Sequence, residues 1–226
     1  MAYFSGNIFS ESLNMDTGVG VILPHDSRQH RGIAPLMDGR APRQSPRTLI
    51  LLHGLTDNHA AWAMRSRILS YAEDYDVAVL MPEVQRSFYQ DMKNGEAYFT
   101  YVSEELPALA AELFGVSTAP EDLLVAGLSM GGYGALRCGL NAPERFRAVG
   151  AFSSAVDIES LTVNMTARKE TRRFEDVVRG IFGEQLVVPE AAKLPALAER
   201  ARGAKLPIRM TCGTEDELYQ IGRAHV

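Results

Sequence analysis

The sequence predicts an α/β fold with a mostly parallel central sheet covered by helices on both faces. Three observations carry this. Apolar runs at Leu49–Leu52, Val77–Met81, Leu123–Ala126, Ala148–Ser153 and Pro207–Cys212 have strand length and little polar alternation, as expected of strands covered on both sides. Stretches with helical spacing separate them, so strands and helices alternate along the chain. One run leads into Gly127-Leu128-Ser129-Met130-Gly131 and then a helix former from Ala135 onward, which makes a strand, a sharp turn and a helix with a serine at the turn.

The chain has 226 residues, 46% hydrophobic and 23% charged, enough apolar material for the core of one domain. Its formal charge of -5 argues against nucleic-acid binding, which needs a basic face. No apolar run approaches the roughly 20 residues of a membrane span. Met1 to Asn7 has neither a basic nor an apolar signal region, so cytoplasm is the expected location. The two cysteines, Cys138 and Cys212, fall in elements expected to be buried and do not form a disulfide framework. The five histidines are scattered without metal-ligand spacing, so neither metal nor cofactor is expected.

Taken in order, Ile8–Leu13 and Val19–Leu23 read as two strands joined near Asn14 to Gly18. Pro24 to Pro46 is a polar loop rich in Arg, Pro and Gly. Arg47 to Leu55 is a buried strand ending in His53-Gly54, and Asp57-Asn58 can cap a helix through Trp62, Ile68, Leu69 and Ala72. Pro82 stops the next strand, and Glu96–Phe114 is an amphipathic helix that Pro107 kinks or splits. After the serine helix come the strand at Ala148, a charged helix Arg168–Phe182 with a core-facing stripe, a helix Pro189–Arg202 and the last strand. Leu55, Ser129 and Asp216 all fall just past strand ends, where α/β sheets place their sites.

A serine hydroxyl is a poor nucleophile unless a histidine takes its proton and an acid orients that histidine. Glycines flanking Ser129 permit the strained turn that lifts the hydroxyl clear of the sheet. Asp216 is the first choice for the acid and Glu215 the second. The oxyanion hole needs two backbone N–H groups, expected from Met130 and from Leu55. His53 is read as a structural residue that positions the Leu55 loop. The expected order is serine, acid, histidine, and His25, His30, His53 and His59 all precede Ser129. His225 follows Asp216 too closely to leave room for an intervening helix, so no histidine fits the base.

Leu51 to Asn58 with Trp62, Met81-Pro82 with Arg86-Ser87-Phe88-Tyr89, Tyr98 and Tyr101 with Glu105-Leu106-Pro107, and Gly127 to Ala135 together resemble the esterase branch of the α/β-hydrolases. The likeness is to tributyrin esterases, relatives of S-formylglutathione hydrolase and of acetylxylan and feruloyl esterases, and runs from about Ile8 to Tyr219. It implies an α/β-hydrolase fold and hydrolysis of short-chain acyl esters through an acyl-enzyme on Ser129, with Asp216 as the acid. A thioesterase, an acetyl-sugar esterase and a non-catalytic binding protein are the alternatives. The implied partner is a small-molecule ester. Trp62, Tyr89 and Tyr98 are expected to contact it, although aromatic residues at helical spacing fit a core equally well. The segments 82–96 and 153–183 are expected to line the pocket. Glu217 departs from the aromatic residue usual in relatives.

Relatives continue into a further strand and helix with a Gly-x-His that supplies the base. The chain is therefore expected to be a single domain, 1–220, lacking its last helix and the histidine segment, and to be poorly active as written. The segment 221–226, Ile-Gly-Arg-Ala-His-Val, is what a common sequencing adapter encodes in one frame and is expected to be read-through.

Overall fold

The computed structural model describes residues 1–24, 45–167 and 172–216. Seven strands among them form one sheet: β1 (Ala2–Ser10), β2 (Met15–Leu23), β3 (Arg47–Leu52), β4 (Val77–Pro82), β5 (Leu123–Leu128), β6 (Ala148–Phe152) and β7 (Ile208–Thr211). Their order across the sheet is β1-β2-β4-β3-β5-β6-β7. From β4 to β7 every pair is parallel, while β2 runs antiparallel to both β1 and β4. The parallel centre is as the sequence predicts, with a hairpin added at one edge. β1 starts six residues before the predicted Ile8, at Ala2. Most of its residues are exposed, so no apolar alternation marks it.

The continuous apolar runs have a direct structural cause. Side chains alternate along a strand, and here both sides are covered. Ile50, Leu52, Ala78, Leu80, Leu123 and Val125 enter one core, whereas Leu51, Val79, Met81 and Ala126 enter a second on the opposite face. Helices α1 (Ala61–Arg65) and α2 (Ile68–Asp74) close the second core with Ile68 and Ala72, with Trp62 and Leu69 packed against it. The first core is closed by α4 (Leu106–Phe114), α5 (Met130–Asn141), α7 (Arg172–Phe182) and α8 (Leu194–Arg200), through residues such as Ala110, Tyr133, Ile181 and Leu197.

Several helices differ from expectation for local reasons. The single helix expected through Ala72 is broken at Ser66, whose hydroxyl donates to Trp62 O at 2.6 Å and accepts the Ile68 N–H at 3.2 Å. Such a side chain offers the backbone an alternative to the helical ladder. The helical stretch is divided just before Pro107: a short α3 (Tyr98–Thr100) passes into a π-helical turn, Tyr101–Glu105, and Pro107 is the second residue of α4, where its missing N–H costs little. The helix expected from Pro189 is a 3₁₀ turn, Glu190–Ala192, followed by α8. A further helix, α6 (Ile158–Ala167), has no counterpart in the sequence reading. Its signal was Asp157, whose carboxylate accepts the Ser160 N–H at 2.9 Å in the manner of an N-cap. The polar loop at 25–44, the start of the charged helix at 168–171, Glu217 and the 221–226 tail lie outside the described residues.

Among the described residues β7 pairs with β6 alone, and Ile208 and Met210 are exposed. Cys212, expected to be buried, is exposed beyond this edge strand. Cys138 is buried in α5 as expected, and burial pushes its thiol up to about 12. The Tyr101 hydroxyl is buried and makes no hydrogen bond among the described residues. Tyr101→Phe is therefore expected to be neutral or stabilising by up to about 1 kcal/mol. Thermal unfolding checks this, and a fall of Tm by several degrees would contradict it.

Candidate active site

Ser129 occupies the turn between β5 and α5 with φ 57° and ψ -115°. A non-glycine residue held there stores about 1–3 kcal/mol of strain. Its backbone is held on both sides. The Ser129 N–H donates to Phe152 O at 2.9 Å, and its carbonyl accepts the N–H groups of Tyr133 at 3.1 Å and Ala155 at 3.4 Å. The two flanking glycines are required by close approach. A Cβ on Gly127 would lie 2.3 Å from the Gly131 carbonyl, and one on Gly131 would lie 2.3 Å from Leu52 O and 2.8 Å from His53 O. The start of α5 thus rests directly on the end of β3, and the half-buried Ser129 is raised above the sheet.

The strand register brings the other expected residues to the same end. Leu128 is level with Phe152, which is level with Thr211, and Leu52 is level with Gly127. Ser129, the His53-Gly54-Leu55 segment and the turn carrying Glu215 and Asp216 therefore all leave the carboxyl edge of the sheet. In that turn the Asp216 N–H donates to Gly213 O at 3.1 Å. Asp216 is half-buried and Glu215 exposed.

Residues 54–57 form a tight turn closed by the Asp57 N–H on Gly54 O at 3.1 Å. A turn of this kind uses the amide of its fourth residue and leaves that of its second, Leu55, outside the closing bond. Met130 is the first residue of α5, where the N–H has no intrahelical acceptor and the helix dipole is positive. A Cβ on Gly54 would lie 3.9 Å from Ser129 Cβ, so the two segments are in contact at the serine.

His53 is buried, and its Nδ1 lies 2.7 Å from Gly54 O while its Nε2 accepts the Val84 N–H at 3.2 Å. Those contacts tie the buried ring to the loop that carries Leu55 and to the residues after β4. His59 lies between Ser5 Oγ, at 3.2 Å, and Glu83, at 3.4 Å. Neither ring is bonded to Ser129. His25, His30 and His225 are outside the described residues.

Glu83 accepts the N–H groups of Gln85 at 2.9 Å and His59 at 3.2 Å, and its Oε1 lies 3.5 Å from His53 Nε2. Burial raises this carboxyl, but the His53 ring and the two amides outweigh burial and hold it at about 2, against an ordinary 4.5. A depressed carboxyl contributes stability that is present above pH 4.5 and lost as pH falls through about 2. Glu83→Gln is expected to cost about 1–3 kcal/mol at pH 7 and to flatten the acid limb of the stability curve. Urea unfolding across that range checks it, and acid limbs of equal steepness in both proteins would contradict it.

The aromatic residues expected to contact substrate are placed otherwise. Tyr89 and Tyr98 are buried in the first core. Burial, with Glu96 and Glu83 adding to it, pushes the Tyr98 phenol up to about 12. Trp62 is half-buried and donates its indole N–H to Leu52 O at 3.0 Å, bracing the end of β3. Their spacing suits a core as well as a pocket, and the burial of Tyr89 and Tyr98 fits the core. The segments expected to line a pocket do meet: Lys93 N–H donates to Ile181 O at 2.9 Å and Asn94 N–H to Gly180 O at 3.0 Å. Beside this junction is an open groove of about 640 Å³ lined by residues including Gln90, Lys93, Asn94 and Phe182, but not by Ser129.

A serine on a strained strand-to-helix turn, facing a loop amide at the carboxyl edge of a parallel sheet, is the arrangement of an α/β-hydrolase-fold serine hydrolase. Known proteins agree with this class. The "Putative esterase" family matches residues 10–221, and the chain belongs to that family. It is 30% identical over 228 residues to the acetyl esterase of Caldicellulosiruptor saccharolyticus, covering 99% of this chain and 84% of that protein. It is 25% identical over 232 residues to the S-formylglutathione hydrolase of Bos taurus, covering 91% and 78%. Among solved structures it resembles FphF, a fluorophosphonate-binding serine hydrolase of Staphylococcus aureus, with a TM-score of 0.83 and 27% identity over 99% of this chain and 83% of that one. The chain is a serine esterase, a carboxylic ester hydrolase.

Proposed function

We propose that the chain hydrolyses short-chain acyl esters through an acyl-enzyme on Ser129. The observation that carries this is the strained Ser129 backbone in contact with the 54–57 turn, an arrangement that supports a nucleophile flanked by the Leu55 and Met130 amides. In the first step the Ser129 oxygen bonds to the acyl carbon, and the carbonyl electron pair moves to the oxygen held by the Leu55 and Met130 N–H groups. The hydroxyl proton goes to the histidine of the Gly-x-His segment that the resemblance implies, since none of the five histidines of this sequence fits the role, and returns from it to the departing alcohol, with Asp216 orienting the ring. Water then repeats the sequence and frees the acid. The likeness to an acetyl esterase and to S-formylglutathione hydrolases supports a small acyl group and leaves a thiol as the second leaving group to consider. The free thiols of Cys138 and Cys212 suit a reducing, cytoplasmic location.

The test compares p-nitrophenyl acetate, p-nitrophenyl octanoate and an acyl-thiol ester on the same preparation. Faster turnover of acetate than octanoate is expected. Equal rates on both chains would overturn the short-acyl reading, and an acyl-thiol preferred by about 100-fold or more would make the enzyme a thioesterase.

A further inference from the structure

Between β4 and α3 the backbone takes up left-handed conformations at three non-glycine residues, Gln85 (φ 52°), Phe88 (φ 48°) and Tyr89 (φ 51°). Such strain persists only where surroundings enforce it, and it concentrates near functional sites. At Tyr89 the enforcing contacts can be named. Its carbonyl accepts a hydrogen bond from the buried Arg137 guanidinium of α5, which also stacks 3.9 Å above the Phe99 ring. Its ring lies against Gly134 so closely that a Cβ there would be 2.5 Å away. Its hydroxyl donates to His53 O at 2.9 Å. The neighbouring Gln90 donates to the Tyr133 hydroxyl at 2.7 Å, which in turn donates to Ala192 O at 2.6 Å.

The carbonyl that Tyr89 holds is a particular one. His53 O belongs to the peptide that enters Gly54 and the Leu55 turn, and with Leu52 O it is one of the two oxygens that Gly131 closely approaches. Its orientation decides where the loop amide stands relative to Met130. We infer that Tyr89 is a positioning residue for the oxyanion hole: held against the elbow helix by Arg137 and Gly134, its phenol fixes the His53–Gly54 peptide so that both amides reach the same oxygen. This rests on the esterase reading of Ser129 and adds a residue that touches neither substrate nor nucleophile. Burial, with Cys138 and Glu83 adding to it, raises the phenol well above its ordinary value, so the hydroxyl stays a proton donor throughout the assay range.

The experiment is Tyr89→Phe, which keeps the ring and removes the hydroxyl. A misplaced oxyanion donor costs transition-state stabilisation and leaves ground-state binding alone. The expected result is kcat lower by about 10- to 100-fold with KM within about threefold. Inhibition by methaneboronic acid, which forms a tetrahedral adduct on Ser129, should weaken by a similar factor. Tyr101→Phe, an equal loss of a buried hydroxyl outside this network, should leave kcat unchanged. Gly134→Ala gives an independent check, because the new Cβ displaces the Tyr89 ring without altering the phenol, and the same kcat loss is expected. A Tyr89→Phe protein equal to wild type in both constants, or one with raised KM and unchanged kcat, overturns the positioning role. Wild-type protein that carries the base histidine and yet neither hydrolyses ester nor reacts with a fluorophosphonate overturns the esterase reading beneath it.

Discussion

In protein that carries the base histidine, Ser129→Ala should abolish covalent labelling by a fluorophosphonate and lower kcat/KM for p-nitrophenyl acetate by about 10⁴-fold or more. The size follows from what is removed. Without the hydroxyl no acyl-enzyme forms, and only binding and the two loop amides remain to favour attack by water. Stability should barely respond, since the φ of 57° is imposed by the surrounding backbone and not by the serine oxygen. Labelling and circular dichroism on the same samples separate the two effects. Unchanged labelling after the substitution would place the nucleophile elsewhere and remove Ser129 from the mechanism.

Gly131→Ala should do comparable damage by a different route. Its Cβ would meet Leu52 O at 2.3 Å, Leu52 C at 2.7 Å and His53 O at 2.8 Å, all backbone atoms of a central strand and its exit. Flexible side chains could swing away, but these atoms cannot, so either α5 lifts from the sheet or β3 shifts. We expect a cost of about 3 kcal/mol or more in stability, and at least about 100-fold in kcat for whatever folds. Gly6→Ala is the contrast, with nothing within 4 Å of the added carbon, and should change stability by less than about 0.5 kcal/mol. Similar melting temperatures for the two variants would show that the elbow has slack the close approach does not suggest.

The parts of this protein that were legible in the sequence are those where one local cause dominates. Strands covered on both faces leave unbroken apolar runs, so β3, β4, β5 and β6 could be placed within about two residues. The serine turn was legible because its geometry tolerates only glycine at set offsets. β1 was partly missed because its exposed residues carry no pattern, and α6 was missed although Asp157 marked its start. The candidate site was less legible than the fold. Asp216 and Leu55 were identified by their place after strand ends, and the register does bring both to the edge that carries Ser129. The roles of Tyr89 and Arg137 could not have been read. The Tyr89 bond to His53 spans 36 residues and the Arg137 bond to Tyr89 spans 48, and no spacing rule encodes contacts made only once the sheet is assembled.

The unequal burial of the two cysteines has a practical consequence. Maleimides and similar reagents attack thiolates that solvent can reach. Cys138 meets neither condition, enclosed in α5 with its thiol pushed up to about 12. Cys212 is exposed, directly after β7 and four residues before Asp216. An unmodified sample should therefore take up one dye per molecule, at the rim of the catalytic edge. A fluorophore there would report on the turn that carries Asp216, with no engineered attachment point and no change to the elbow.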